Sequence, residues 1–343
     1  MKKTATTIFL LLFLLSACAP RGPLTLTVMT HSSFAVNEDV IKAFEDANNA
    51  KVAFVQSGDA GEMLNKAILT KDAPIADVLF GVDNTFLSRA LEAGIFEPYA
   101  SSALTDVSAE FQLDPSHQVT PIDFGDVCVN YDKKYFAENN LAIPQSLEDL
   151  RKPEYKGLLV MENPATSSTG LAFLLASRAH FGEDYIGYWK DLRQNGLVVV
   201  DGWETAYYTN FSGSSGQGAQ PLVVSYGSSP AAEVVYAATP LDDSPTASMI
   251  GPDTCFRQVE FAGILKGTAS QKLAEKFIDF MLGTEFQNDM PLQMFVYPVN
   301  QNATLPEAFV KYSQAPSQPA VISPDEISAN RDAWIESWTQ AMK

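Results

Sequence analysis

Apolar and polar positions alternate along this chain in a repeated order: a short apolar run, a polar loop, then apolar residues at helical spacing. Residues 24–29 read as a buried strand, followed by the polar stretch Thr30-His31-Ser32-Ser33 and a helical pattern over about 36–47. A second strand at 51–56 ends in Ser57-Gly58-Asp59-Ala60-Gly61, and the helix after it places Met63, Leu64, Ala67 and Ile68 on one face. A third strand, 76–81, runs into Val82-Asp83-Asn84 and a helix at 85–93. Three strand, loop and helix units in succession predict a parallel sheet covered by helices. Ligands of such sheets sit beyond the carboxyl ends of the strands, so the polar loops are the first candidate site.

The plan then repeats. Strands are predicted at 126–131, 157–162 and 222–226, with helices at 144–152 (Ser146 as cap) and 171–181. The strand at 157–162 ends in Asn163-Pro-Ala-Thr-Ser-Ser-Thr-Gly170, and the one at 222–226 in Gly227-Ser-Ser-Pro230, with Ser229 as N-cap and Pro230 opening a helix. A strand at 255–265 leads back, and 270–281 forms an amphipathic helix. Crossings near Ile122 and Phe261 predict a first lobe of 24–122 and 262–343 and a second lobe of 123–261.

The first seventeen residues stand apart. Lys2 and Lys3 precede an apolar run from Ile8 to Leu15, too short to span a bilayer, and Ala19, Pro20, Gly22 and Pro23 follow. This predicts a secretory signal. Leu15-Ser-Ala-Cys18 resembles the bacterial lipoprotein box, which implies cleavage before Cys18, acylation of that cysteine and residues 18–23 as a tether outside the cytoplasm. Cys128 and Cys255 then remain, and in an oxidising compartment a pair of leftover cysteines is expected to form a disulfide.

The chain has 343 residues with 23 Lys+Arg against 41 Asp+Glu, a net charge of −18. With no basic stripe it is not expected to bind nucleic acid. Its 21 Phe, 12 Tyr and 4 Trp supply a core large enough for two lobes. No Gly-x-Ser-x-Gly elbow, phosphate loop or Cys-x-x-Cys pair appears, and His31, His117 and His180 have no metal-site spacing, so neither cofactor nor metal is expected.

Leu26-Thr-Val-Met-Thr-His-Ser-Ser-Phe34, Ala76-Asp-Val-Leu-Phe-Gly-Val-Asp-Asn84, Asn163 to Gly170, Asp201-Gly-Trp-Glu-Thr-Ala-Tyr207, Val223 to Pro230 and Val296-Tyr-Pro-Val299 resemble, in that order, the thiamine-binding proteins of bacterial uptake transporters. The resemblance implies a two-lobed α/β fold of the type II periplasmic-binding-protein kind, with mostly parallel sheets and a hinge of two crossing strands. It implies a monomer that closes on thiamine or a thiamine phosphate and delivers it to a membrane permease with a cytoplasmic ATPase. It places a ligand-contacting serine at Ser167 and aromatic contacts at Trp203 and Tyr226. There are departures: His31 stands where the family has tyrosine, Phe295 where it has tryptophan, and Ala232 where some relatives carry an aromatic.

Thiamine needs flat faces for its rings, a carboxylate or π-face for its positive charge, and donors for its hydroxyethyl arm or phosphate. Ser167, Ser168 and Thr169 at a strand-to-helix turn suit the arm. Trp203, Tyr226, His31 and Phe295 suit the rings, Asp59 and Asp83 the charge, and Ser228 and Tyr297 complete the expected set. Two alternatives stay open. Thiamine-cleaving enzymes share the fold and use a cysteine nucleophile where Cys128 stands, with Glu233 or Glu260 as base. Ferric-ion and polyamine carriers share it too. Ferric carriers set two adjacent tyrosines at the end of the strand where Tyr226 stands alone, while Tyr207 and Tyr208 lie on a predicted helix whose winding is expected to turn their rings apart.

Overall fold

The computed structural model describes residues 22–215 and 217–343; the signal segment and Cys18 lie outside them. The chain order is β1 (Leu24–Thr30), α1 (Glu38–Asn48), β2 (Ala50–Gln56), α2 (Ala60–Leu69), β3 (Val78–Asp83), α3 (Leu87–Glu92), β4 (Phe96–Glu97) and β5 (Thr120–Asp132). There follow α4 (Lys133–Glu138), β6 (Leu159–Glu162), α5 (Ser168–Phe181), α6 (Tyr185–Gln194), β7 (Val198–Val200), α7 (Ser212–Ser215), β8 (Leu222–Tyr226), α8 (Ser229–Val235) and β9 (Thr246–Met249). The chain ends with β10 (Phe256–Leu265), α9 (Gln271–Leu282), α10 (Thr284–Gln293), β11 (Tyr297–Pro298), α11 (Glu307–Tyr312) and α12 (Pro324–Ala341).

The strands run β2-β1-β3-β10-β5-β8-β6-β7, with β4 added to β10 and β9 and β11 added to β5. β1 is parallel to β2 and β3, and β6 is parallel to β7 and β8. Between these parallel halves lie the long antiparallel strands β5 and β10. Thr120 to Val127 of β5 pair with Phe256 to Ala262 of β10, and the later part of β10, Glu260 to Ile264, pairs with β3; Val127 to Asp132 of β5 pair with β8 and β9. Thus two strands carry both halves, the expected hinge. Each half is covered by helices whose apolar faces are buried: Phe277, Ile278 and Met281 of α9 are almost wholly covered, and α5 is buried from Ser168 to Ser177.

Cys128 and Cys255 form a disulfide across β5 and the start of β10. It joins the hinge strands to each other. No helix among the described residues is long and apolar enough to cross a membrane.

Some local expectations change. The helix predicted at 144–152 is replaced by two single turns, Asp149–Arg151 and Pro153–Tyr155. The Asp149 carboxylate accepts from the amides of Gln145 and Ser146, and Pro153 cannot continue a helix. Ser229 is inside α8 rather than its cap; Ser228 takes the cap position, and the Ser229 hydroxyl is 2.9 Å from that of Ser225. The C-terminal segment packs on both halves: α11 lies against α8, and α12 sets Trp338 edge-on to Trp189 of α6 (5.9 Å, 82°) and Arg331 over Phe86.

Candidate functional site

A cleft of about 390 Å³ opens between the halves. Its walls are the loops and helix starts that follow strand ends, as a parallel α/β architecture dictates. The β1–α1 loop brings His31 and Phe34, the head of α2 brings Asp59, and the head of α5 brings Ser168 and Thr169. β8 ends at Tyr226, α8 adds Ser229, Ala232 and Tyr236, and Glu260 enters from β10. The α10–β11 loop adds Met294 and Phe295.

One wall is aromatic. Trp203 stacks on Tyr207 with ring centres 5.0 Å apart and 16° between planes, and Tyr208 stands edge-on to both. The Trp203 indole N–H donates to Ser225 Oγ at 2.9 Å and the Tyr207 hydroxyl to Glu233 Oε1 at 2.6 Å, so both rings are fixed. Tyr207 and Tyr208 therefore both face the cleft, against expectation. Thr205–Asn210 is wound as a π-helix, whose i to i+5 bonding brings neighbouring side chains closer together around the axis than in an α-helix. Tyr236 meets Phe295 edge to face at 5.3 Å.

The opposite wall is acidic. Asp59 caps α2 through Oδ1 on the Ala60 amide (2.7 Å), while its Oδ2 accepts from the Trp203 amide (3.1 Å). His31 Nε2 lies 3.4 Å from Glu260 Oε1. Burial alone lowers the imidazole pKa, but the carboxylates of Glu260, Asp59 and Asp83 outweigh it and hold His31 above 6.5. Gly81, at φ +105°, makes room for that ring, since a Cβ there would sit 2.3 Å from His31 Cδ2.

At the far end the head of α5 borders the cleft with Ser168 and Thr169. Gly170 lets that helix start close over β6: a Cβ on it would lie 2.3 Å from the Glu162 carbonyl oxygen. Burial, with the charge of Asp59, pushes the Glu162 carboxyl well above the usual range beneath this end.

The halves are also clasped across the cleft. The Gly61 amide donates to the Thr166 carbonyl (3.1 Å), the Tyr236 hydroxyl to the Leu292 carbonyl (2.9 Å), and the Ser228 hydroxyl to the Phe295 carbonyl. Phe295 holds φ 54°, a left-handed conformation costly for a side-chain-bearing residue.

Of the residues picked from the sequence, His31, Asp59, Ser168, Trp203, Tyr226 and Phe295 line the cleft together. Four stand behind it. The Ser167 hydroxyl is fully buried against Thr169 Oγ1 (3.0 Å). Asp83 is fully buried, taking bonds from the Thr85 amide and hydroxyl and from Gln258 Nε2 (2.6 Å). Ser228 is spent on the clasp, and Tyr297 is stacked on Phe124 with its hydroxyl 3.0 Å from Ser313 Oγ. Tyr207, Tyr208, Tyr236 and Glu260 were not in the expected set. Tyr236 lies one helical turn beyond Ala232, a spacing that puts both on one face.

Cys128 Sγ is bonded to Cys255 and is not a free thiolate. Among the described residues no group of three His, Cys, Asp or Glu is arranged to hold a metal ion.

The sequence pattern of the bacterial extracellular solute-binding proteins matches residues 73–327. The thiamine-binding periplasmic protein of Escherichia coli K12 is 31% identical over 92% of this chain and 93% of its own length. That of Brucella suis biovar 1 is 30% identical over 92% of each. Among solved structures, a periplasmic thiamin-binding protein superposes with a TM-score of 0.82 at 30% identity, covering 95% of this chain and 99% of the other. A ferric-binding protein from Campylobacter jejuni reaches 0.75 at 19% identity over 92% and 99% of the two chains, a likeness of fold. The chain belongs to the bacterial extracellular solute-binding proteins and, within them, to the family of the thiamine-binding periplasmic proteins.

Proposed function

We propose that the protein captures thiamine, or a phosphate of it, in this cleft outside the cytoplasm and hands it to the permease of an importer driven by a cytoplasmic ATPase. The observation that carries the reading is the cleft itself, with stacked rings of Trp203 and Tyr207 on one side and carboxylates of Asp59 and Glu260 on another. A flat cation is the ligand such walls suit: the rings supply π-faces and the carboxylates supply counter-charge. The family's ligand fits that description. His31, Asp59, Ser168, Trp203, Tyr226 and Phe295 contact the ligand in this reading, and Asp83, Ser167, Ser228 and Tyr297 act through them.

In the same proposal the mature chain begins at an acylated Cys18, is tethered to a membrane by residues 18–23 and works as a monomer. Its lobes are 24–122 with 262–343 and 123–261. It is a carrier rather than an enzyme, because the cysteine a thiaminase-like reaction needs is held in the disulfide. Ferric ion is the second reading, favoured by the presence of Tyr207 and Tyr208 in one cleft. Isothermal titration with thiamine, its mono- and diphosphate, Fe3+ and spermidine separates these readings. One-to-one binding of a thiamine form, with no binding of Fe3+, is the expected result; Fe3+ binding with no thiamine binding would overturn it.

A further inference from the structure

Three carboxylates lie side by side at the base of the cleft. In the strand register Glu260 of β10 is opposite both Asp83 of β3 and Asp123 of β5, so the three side chains form one row across the hinge. Asp83 and Asp123 are fully buried and Glu260 is 6% exposed, on the cleft side. Like charges placed opposite one another in a buried sheet repel, and donors offset this unevenly. Asp83 has Thr85 and Gln258. Neither oxygen of Asp123 receives a hydrogen bond from an N–H or hydroxyl group; the Glu260 carboxyl lies against it, an arrangement two carboxyls tolerate by sharing a proton.

No fixed cation balances the row. Arg257, three residues before Glu260, is on the other face of β10 and is held by both oxygens of Asp126 at 3.0 and 2.9 Å. Among the described residues no lysine or arginine pairs with Asp83, Asp123 or Glu260. The titratable groups facing Glu260 are His31 from the β1–α1 loop, Asp59 from the head of α2, Asp83 from β3, Asp123 from β5 and Tyr226 from β8. His31 Nε2 is the independent sign of a ligand: the side chain is only 8% exposed and lines the cleft, yet this nitrogen makes no hydrogen bond, and its ion-pair partner is the Glu260 carboxylate 3.4 Å away.

We infer that Glu260, backed by Asp83 and Asp123, is the counter-charge for the ligand's positive ring, and that the incoming cation displaces a proton held by this row and His31, so that binding releases protons. The inference rests on the reading of the cleft as a thiamine site. The sign follows from charge: a cation prefers the deprotonated row and a neutral imidazole, so affinity falls as pH falls. The window is marked by Asp83, whose burial pushes it up to about 6, and by His31, held above 6.5. A neutral ligand of the same shape gains nothing from the exchange.

The test is titration calorimetry of the mature protein in buffers of different ionisation enthalpy, which counts protons directly. The probes are thiamine, an analogue with neutral thiophene in place of thiazolium, and N-methylthiazolium. Thiamine is expected to release protons and the neutral analogue none. In Glu260→Gln the preference for thiamine over the neutral analogue should fall about tenfold or more, with the proton release lost. Asp123→Asn, which leaves Glu260 without its proton-sharing partner, should reduce proton release while thiamine binding persists, and it serves if Glu260→Gln does not fold. Equal proton release for thiamine and the neutral analogue, or an unchanged preference in Glu260→Gln, overturns the inference. If thiamine does not bind but N-methylthiazolium binds with proton release, the ligand reading fails and the carboxylate row stands. If neither cation binds, both fail.

Discussion

The aromatic wall and the carboxylate floor of the cleft solve different problems with different chemistry. The wall, Trp203, Tyr207, Tyr208 and Tyr236, is built on helices of the second half, and two of its rings are fixed by neutral side chains or a single carboxylate. The floor is built on strands, with Glu260 and Asp123 on the hinge strands β10 and β5 and Asp83 at the end of the neighbouring β3. A ring stack supplies contact area and dispersion that hardly vary with pH. Buried like charges supply little contact but strong discrimination by charge, at a cost that changes with every proton. One region holds any flat ligand; the other asks whether it is positive.

The largest effect that separates the two regions is expected from the wall. Trp203→Ala removes the stacking face and should weaken thiamine binding by about 2 kcal/mol, roughly thirtyfold in Kd, by the same factor at pH 6 and pH 8. Calorimetry at both pH values checks this; a loss confined to one pH would place Trp203 with the charge chemistry.

Asp59 touches both regions, since it caps α2 and accepts the Trp203 amide. Asp59→Asn keeps one acceptor oxygen for the Ala60 amide, but it removes the charge and turns an NH2 toward the Trp203 amide, so about 1 kcal/mol of affinity should go, with the melting temperature of the free protein nearly unchanged. A large fall in melting temperature would mark Asp59 as structural instead.

The smallest effect is expected at Ser167, whose hydroxyl is buried against Thr169 and does not reach the cleft. Ser167→Ala should change thiamine Kd by less than about 0.5 kcal/mol, whereas Ser168→Ala, at the cleft surface, should change it more. The reverse order would show that the head of α5 rearranges on binding.

Much of this was legible in the sequence. The strand, polar loop and helix rhythm located β1, β2, β3, β6 and β8, and the segments after β1, β2, β6 and β8 do form cleft walls, while the one after β3 does not reach the cleft. What the linear pattern could not carry was direction at the level of one residue. Ser167 and Ser168 are neighbours, and helix winding sends one inward and one to the cleft. Asp83 ends a strand whose six residues are all buried, so its side chain joined the hinge rather than the cavity.

Tyr208 was set apart from Tyr207 by assuming α-helical winding, and a π-helical stretch has no clear signature in residue type. Glu260 had a signal in the sequence, a lone carboxylate inside the apolar strand 255–265. Its meaning depends on partners more than 130 residues away, which only the β3-β10-β5 pairing supplies.

The most direct measurement is a crystal structure of the mature protein with thiamine bound. The account predicts one ligand in the cleft, a ring packed on the Trp203 and Tyr207 face, and the thiazolium within about 5 Å of the Glu260 carboxylate. Thiamine bound elsewhere, or with its thiazolium turned toward the head of α5 and away from Glu260, would contradict it.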